Sequence, residues 1–205
     1  MNRDAGLVLS SYIASMTSTQ STSPTTSLPH LPLLERTLSQ PNLNILELGA
    51  GCGIVGITLS HILPSPSQIL LTDLPEASSI LTHNLSSLTP SLRSNITHQI
   101  LDWSLHLPLN VSSTSWNLIV VADCTYNPDV VPDLVKTLRA VAEGNREVVV
   151  LLAMKVRHES ELGFFDLMTE AGFGVVEKCG VPLPVLGGEG ERIEIFVFKL
   201  SGEAG

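Results

Sequence analysis

Apolar residues along this chain gather into short continuous runs, and between the runs they recur every three to four positions. The runs are too short for helices and too continuous for half-exposed strands, so they read as strands buried on both faces. Ile45 to Leu48 is the first, and Ile69 to Thr72, ending in Asp73, is the second. "NITHQILDW" supplies a third ending near Asp102 and Trp103, "WNLIVVADCTY" a fourth ending near Asp123, and "REVVVLLAMKV" a fifth. Helical spacing fills the gaps at Ile54 to Leu63, Ala77 to Ser87, Asp129 to Val141 with Pro128 near its beginning, and "ESELGFFDLMTEAGF". Strands alternating with helices predict a mostly parallel sheet with helices on both faces. Two last strands, "GVVEKCGVPL" and "ERIEIFVFKL", are separated by a segment too short for a crossover helix. They should be antiparallel neighbours, which makes seven strands in one layer.

At the amino-terminal end, Ala5 to Met16 carries apolar residues at near-helical intervals after a capping Asp4, and a short helix is expected at Pro32 to Leu38. Between them the Ser/Thr-rich stretch over residues 17–29 reads as a flexible loop. With 205 residues, 43% of them hydrophobic, the chain can bury one sizeable core. A single domain is expected over residues 1–200, followed by a frayed tail at 201–205.

The charge balance narrows the partners. A formal net charge of −9 argues against a nucleic-acid backbone as the ligand. No apolar run reaches membrane-spanning length, and the start lacks a secretory signal. Cys52, Cys124 and Cys179 are too scattered for a zinc site or a disulfide framework, so core thiols in a reducing compartment are expected, the cytoplasm before the nucleus. The matches to a glycosylation signal at Asn84, Asn95 and Asn110 are then background.

Chemistry concentrates at the strand ends. "LELGAGCGIVG" places Glu47, Gly49, Gly51 and Gly53 directly after the first strand, an E-x-G-x-G-x-G spacing. Glycines there let main-chain amides approach a ligand closely, and a nucleotide-like cofactor is the first candidate. The dinucleotide register is absent, because Ile54 stands where the third glycine would fall, and so is the Gly-Lys-Ser/Thr ending of a phosphate loop. Asp73, at the second strand end, is suited to accept hydrogen bonds from both hydroxyls of a ribose. Leu74 can flank an adenine, Asp102 can accept from its exocyclic amine, and Trp103 offers a flat wall.

The ordinary readings stand beside these: Asp73 as a helix cap, Trp103 as core, Asp102 as a turn residue, Glu47 as a brace for the glycine turn. "VVADCTYNPD" leaves the fourth strand with Asp123 and, three residues on, Tyr126, a carboxylate and a phenol able to receive an amine. A helix cap and a surface aromatic are the bland alternatives. Strand alternation would aim Cys124 elsewhere. His158 lacks a partner at metal-ligand spacing, and Lys155 and Arg157 could meet acidic parts of a protein substrate or simply face solvent.

Taken together, "LELGAGCGIVG", "LLTDLPEA", "LDW" and "VVADCTYNPDVVPDLVKTL" resemble the seven-β-strand S-adenosylmethionine-dependent methyltransferases, and within them the group that methylates lysines of non-histone proteins. "MKVRHESELGFF" and "RDAGLVLSSYI" extend the likeness from about Asp4 to Leu200. The resemblance implies a Rossmann-like fold and S-adenosylmethionine held by Glu47, Gly49, Ala50, Gly51, Gly53, Asp73, Leu74, Asp102, Trp103 and Ala122. It implies an acceptor lysine received by Asp123 and Tyr126, a protein substrate with an accessible lysine, no metal, and a monomer. The family's first helix follows a β-hairpin arm and a tryptophan; Arg3 stands in the tryptophan's place, so the arm is expected to be missing and the cofactor less enclosed. Methylation of a small molecule or of a protein arginine, and an inactive fold serving as an interaction module, stay open as alternatives.

Overall fold

The computed structural model describes residues 4–17, 29–64, 67–155, 163–183 and 191–201. Arg3, Arg157, His158, most of the expected 17–29 loop and the tail from 202 lie outside them. Helices α1 (Asp4–Thr17) and α2 (Pro32–Leu38) precede strand β1 (Asn44–Leu48) and helix α3 (Ile54–Ile62). Strand β2 (Gln68–Asp73), a single 3-10 turn at Pro75–Ala77, and helix α4 (Ser78–Ser86) follow. Two short helices without a clear sequence signal, α5 (Pro90–Arg93) and α6 (Leu109–Ser112), flank β3 (Ile96–Ile100). The remainder is β4 (Leu118–Ala122), α7 (Val131–Ala142), β5 (Val149–Met154), α8 (Gly163–Glu170), β6 (Phe173–Pro182) and β7 (Arg192–Leu200).

The strands form one sheet in the order β3-β2-β1-β4-β5-β7-β6. β1 to β5 pair in parallel, and β7 pairs antiparallel with both β5 and β6, so it alone runs against the rest. The continuous apolar runs are explained by two cores, one on each face. Ile45, Leu118, Val120 and Leu151 point toward α1 and α3 with Leu9, Ile13, Val55 and Leu59. Their neighbours Leu46, Leu48, Ile119 and Leu152 point toward α7 and α8 with Leu134, Leu138, Phe164 and Met168.

Chain order doubles back at β1: β2 and β3 add to one side and β4 to the other. The carboxyl ends of β1 and β4 diverge at that switch, and a crevice opens above them.

Two boundaries differ from expectation. β3 stops at Ile100 rather than near Trp103, because only Leu101 still reaches the sheet, through its N–H to the Asp73 carbonyl at 2.9 Å. Helix α7 starts at Val131 with Pro132 in its first turn, whereas Asp129 and Pro128 belong to the approach. In β6 a bulge between Val175 and Glu177 slips the register by one residue. Phe173 therefore faces the α7 and α8 core while Cys179 and Val181 face the α1 and α3 core. The slip also brings the Glu177 carboxylate to the start of α2, where it accepts from the N–H groups of Leu33 at 2.6 Å and Leu34 at 3.3 Å. The side chain of Leu31 cannot cap that helix, so a strand 144 residues away does so.

Candidate functional site

The glycine turn bends because its residues can take left-handed angles: φ is +68° at Gly49, +58° at Gly51 and +78° at Gly53. Each glycine has a different local reason. A side chain on Gly49 would collide with Cys124 Sγ and press on the Trp103 ring. One on Gly53 would meet Leu71 at 2.9 Å and Leu81 at 3.0 Å, so Gly53 packs the start of α3 against the sheet. One on Gly51 would meet nothing within 4 Å. That open space is part of a cavity of about 1000 Å³.

Sheet alternation turns Glu47 toward α3, where its Oε2 accepts from the Gly56 N–H at 2.8 Å. The side chain is buried, and that burial, with the Asp73 charge adding to it, pushes the carboxyl up to about 8 against the pull of the Gly56 bond. Gly56 has no room for a side chain, since a Cβ there would collide with Leu71 and approach Glu47 Oε2 at 2.7 Å.

Asp73 bridges two segments: Oδ2 accepts from the Gly51 N–H at 2.6 Å and Oδ1 from its neighbour Leu74 at 2.7 Å. The carboxylate thus fixes the turn from the next strand. Asp102 Oδ1 accepts from the N–H of Ser104 at 2.9 Å and from its hydroxyl at 2.7 Å. Those two bonds hold its carboxyl below the usual range. The Trp103 ring lies under Gly49, and its Nε1–H, sealed from solvent, has no hydrogen-bond acceptor among the described residues.

On the β4 side, Asp123 adopts φ +58°, with its N–H donated to the Ala153 carbonyl at 2.9 Å. A left-handed non-glycine residue is uncommon, and aspartate tolerates it better than most. This twist ends the strand at Ala122 and breaks the alternation that would have aimed Cys124 away from the turn. Cys124 instead lies beneath it, with Sγ 3.5 Å from the Leu48 carbonyl oxygen. Burial and the carboxylates of Asp73, Glu47 and Asp123 push its thiol well above the ordinary range. Tyr126 is 51% exposed at the mouth.

The cavity gathers eleven of the twelve residues marked from the sequence: Glu47, Gly49, Ala50 and Gly51 from the turn, Asp73 and Leu74 from β2, Asp102 and Trp103 after β3, and Ala122, Asp123 and Tyr126 from β4. Gly53 is the exception and sits behind the wall. The sequence missed the contribution of α1, which supplies Asp4, Gly6 and Leu7, and of the rim residues Glu76, Ile80, Asn127, Val130 and Asp133. The position of Leu7 on the exposed flank of an amphipathic helix was the one signal available, at 56% exposure.

Among the described residues, seven carboxyl groups line the cavity, at Asp4, Glu47, Asp73, Glu76, Asp102, Asp123 and Asp133, and no lysine, arginine or histidine does. Lys155, one of the cations weighed as a substrate contact, is instead paired with Glu191 at 2.8 Å and is 13% exposed.

A family profile described as lysine methyltransferase matches residues 3–171. The chain is 32% identical over 139 residues to the UPF0665 family protein C23C4.06c of Schizosaccharomyces pombe, covering 64% of this chain and 41% of that one. It is 32% identical over 124 residues to the mouse protein N-lysine methyltransferase METTL21A, covering 60% and 54%. The chain thus spans about half the length of the curated relatives it matches. Among solved structures, the TehB-like SAM-dependent methyltransferase of Corynebacterium glutamicum superposes with a TM-score of 0.60 at 16% identity, covering 82% of this chain and 86% of that one. That last likeness is one of fold.

Proposed function

The chain belongs to the lysine methyltransferase family whose profile it matches over residues 3–171, and from that premise we propose that it methylates a lysine side chain of a non-histone protein. The observation that carries the reading is a cavity that joins an open glycine cradle to a wall rich in carboxyl groups, with no cation among the described residues that line it. Both reactants of lysine methylation bring positive charge there, a sulfonium on the donor and an ammonium on the acceptor. An anionic or neutral small substrate would gain nothing from these acidic neighbours, of which Glu47, buried and pushed up to about 8, keeps its proton at neutral pH.

The residues fit S-adenosylmethionine as the donor. Gly51 leaves space where a side chain would protrude, and its N–H is already oriented by Asp73. Gly49 and Ala50 continue that surface, with Glu47 beneath it. Asp73 has lone pairs beyond those used by Gly51 and Leu74, suited to ribose hydroxyls, and Leu74, Asp102, Trp103 and Ala122 form the remaining walls. Bound there, the cofactor would supply an electrophilic methyl on a positively charged sulfur that departs as a neutral thioether.

The chain's own task is then to receive and align an amine. Asp123, at the cavity mouth on a backbone fixed through Ala153, draws the cationic lysine in. The amine must arrive neutral, and water at the mouth can take its proton once the pocket desolvates it. Tyr126 walls the approach and would hold the nitrogen lone pair in line with the methyl that the cofactor would supply. Alignment of this kind is worth about 7–11 kcal/mol of barrier in favourable cases, enough to dispense with a general base.

Asp123→Asn keeps shape and removes charge. It should lower methyl transfer by about tenfold or more while cofactor affinity changes little. Labelling a cell extract with a tagged methyl donor, using wild type and variant in parallel, followed by mass spectrometry, tests both parts. Label on a lysine that disappears with the variant supports the reading; label only on small metabolites, or undiminished transfer, would overturn it.

A further inference from the structure

Where the glycine turn enters α3, two side-chain hydrogen bonds take the place of one main-chain bond. Winding the helix one residue further back would pair the Gly56 N–H with the Cys52 carbonyl. Glu47 Oε2 takes that donor at 2.8 Å, and Asn84 Nδ2, from the last turn of α4, donates to that carbonyl at 2.8 Å. Helix α3 therefore begins at Ile54 with Gly53 as its cap, and Gly49 to Cys52 stay in the turn.

Asn84 completes a set of ties on that turn. The Ala50 N–H goes to the Thr72 carbonyl at 3.0 Å, the Gly51 N–H to Asp73 Oδ2 at 2.6 Å, and the Gly53 N–H to the Ala50 carbonyl at 2.8 Å. Those three bonds use donors of the turn. Asn84 holds an acceptor, which an ionised carboxylate could not do. Asparagine is a poor helix former, and Leu81 and Leu85 already bury the apolar face of α4, so Asn84 adds little to its own helix. Its amide reaches 32 residues back along the chain instead. The group that a glycosylation at Asn84 would modify is thus the one that holds Cys52.

Cys52 lines the cavity and Asn84 does not, so any effect of Asn84 on a ligand passes through the backbone. Resting on the reading of Gly51 as part of the S-adenosylmethionine cradle, we propose that Asn84 is a positioning residue for the cofactor, fixing the Cys52 carbonyl and with it the course of the turn. Without that donor the carbonyl is free to rotate, and the cofactor must order the turn as it binds. The local alternative is that the bond only fastens α4 to its neighbours. That role affects stability and is indifferent to the cofactor.

S-adenosylhomocysteine, titrated calorimetrically into the full chain, is the probe. Asn84→Ala removes the side chain, and Asn84→Asp keeps its volume but sets an acceptor against a carbonyl. Leu85→Ala, one residue on and buried in the core, is the control for a weakened α4. Asn84→Ala should weaken binding by roughly two- to tenfold and Asn84→Asp by about tenfold or more, whereas Leu85→Ala should bind like wild type even where its melting temperature falls further. In the ligand-free chain, amide exchange at Gly53 should quicken in the Asn84 variants and not in Leu85→Ala. Thermal melts show which variants are folded at the titration temperature, and Asn84→Ala alone suffices for the comparison. Wild-type affinity in the Asn84 variants overturns the inference, and so does an equal loss in Leu85→Ala. If Gly51→Ala loses binding while the Asn84 variants keep it, this inference fails and the cradle stands. Wild-type binding by Gly51→Ala removes the cradle, and the role of Asn84 with it.

Discussion

At the scale of single residues, the structure separates groups that face a ligand from groups that hold the wall. Asp73 was legible as a strand-end acid because strand length and the acidic residue both show in the sequence. The partner of Glu47 was not, because only the folded sheet sets Gly56 against it. Nor was the direction of Cys124, which depends on the left-handed turn at Asp123 that strand periodicity cannot foresee. Glu47 yields a prediction with a definite sign. Its folded carboxyl titrates at about 8, against an ordinary value of 4.5. Between those limits the folded chain keeps a proton that the unfolded chain has released, so this group's contribution to stability is full below pH 4.5 and is lost as pH rises to 8. The loss is at most about 1.4 kcal/mol per pH unit. Glu47→Gln keeps the acceptor for Gly56 and cannot ionise. Denaturant unfolding at several pH values should show wild type losing stability relative to the variant across that window, and a pH-independent difference would refute the assignment.

At the scale of elements, the β1 turn and α3 assign separate duties to their glycines. Sequence spacing marked Gly49, Gly51 and Gly53 alike, whereas packing distinguishes them, and it adds Gly56, which spacing did not single out as a ligand-free structural position. Gly51→Ala places a methyl in open cavity at φ +58°, costing about 1–2 kcal/mol of backbone strain but colliding with no protein atom. Its melting temperature should fall slightly and its cofactor affinity steeply. Gly56→Ala is the reverse case. It would gain about 1 kcal/mol of helix propensity but drive a methyl into Leu71 and Glu47, an overpacking of about 1–3 kcal/mol. Calorimetric titration beside thermal melts of both variants checks the crossover; Gly51→Ala binding cofactor like wild type would sink the cradle. Elements long enough to show a period were read to within a few residues, and Pro32–Leu38 was read to the residue. The helices Pro90–Arg93 and Leu109–Ser112 are single turns, too short to carry a period at all. The bulge in β6 was hidden as well, since Val175 and Val176 are both apolar and only pairing reveals the slipped phase.

At the scale of the whole molecule, the alternation of strands and helices made the sheet class legible. The insertion of β7 between β5 and β6 depends on which side a hairpin folds back, and short-range pattern does not encode that. The consequence for function is that the cavity wall is assembled from α1, the glycine turn, β2, the segment after β3, and the approach to α7, regions far apart in sequence that meet only in the folded chain. A ligand filling it should bind the folded state alone, and so its affinity must appear as stability. At a free concentration of about 100 times Kd the linkage is about 2.7 kcal/mol, and for a domain near 200 residues each kcal/mol moves Tm by roughly 2–4 °C. S-adenosylhomocysteine, which lacks the transferable methyl, should therefore raise Tm by roughly 5–10 °C, and adenosine triphosphate should do far less because its phosphates meet the carboxylate wall. The gain should disappear with Gly51→Ala, and amide exchange should slow at the glycine turn and at the start of α1 more than in β6. A ligand that shifts Tm equally for wild type and Gly51→Ala, or protection confined to β6, would place the binding site elsewhere on the molecule.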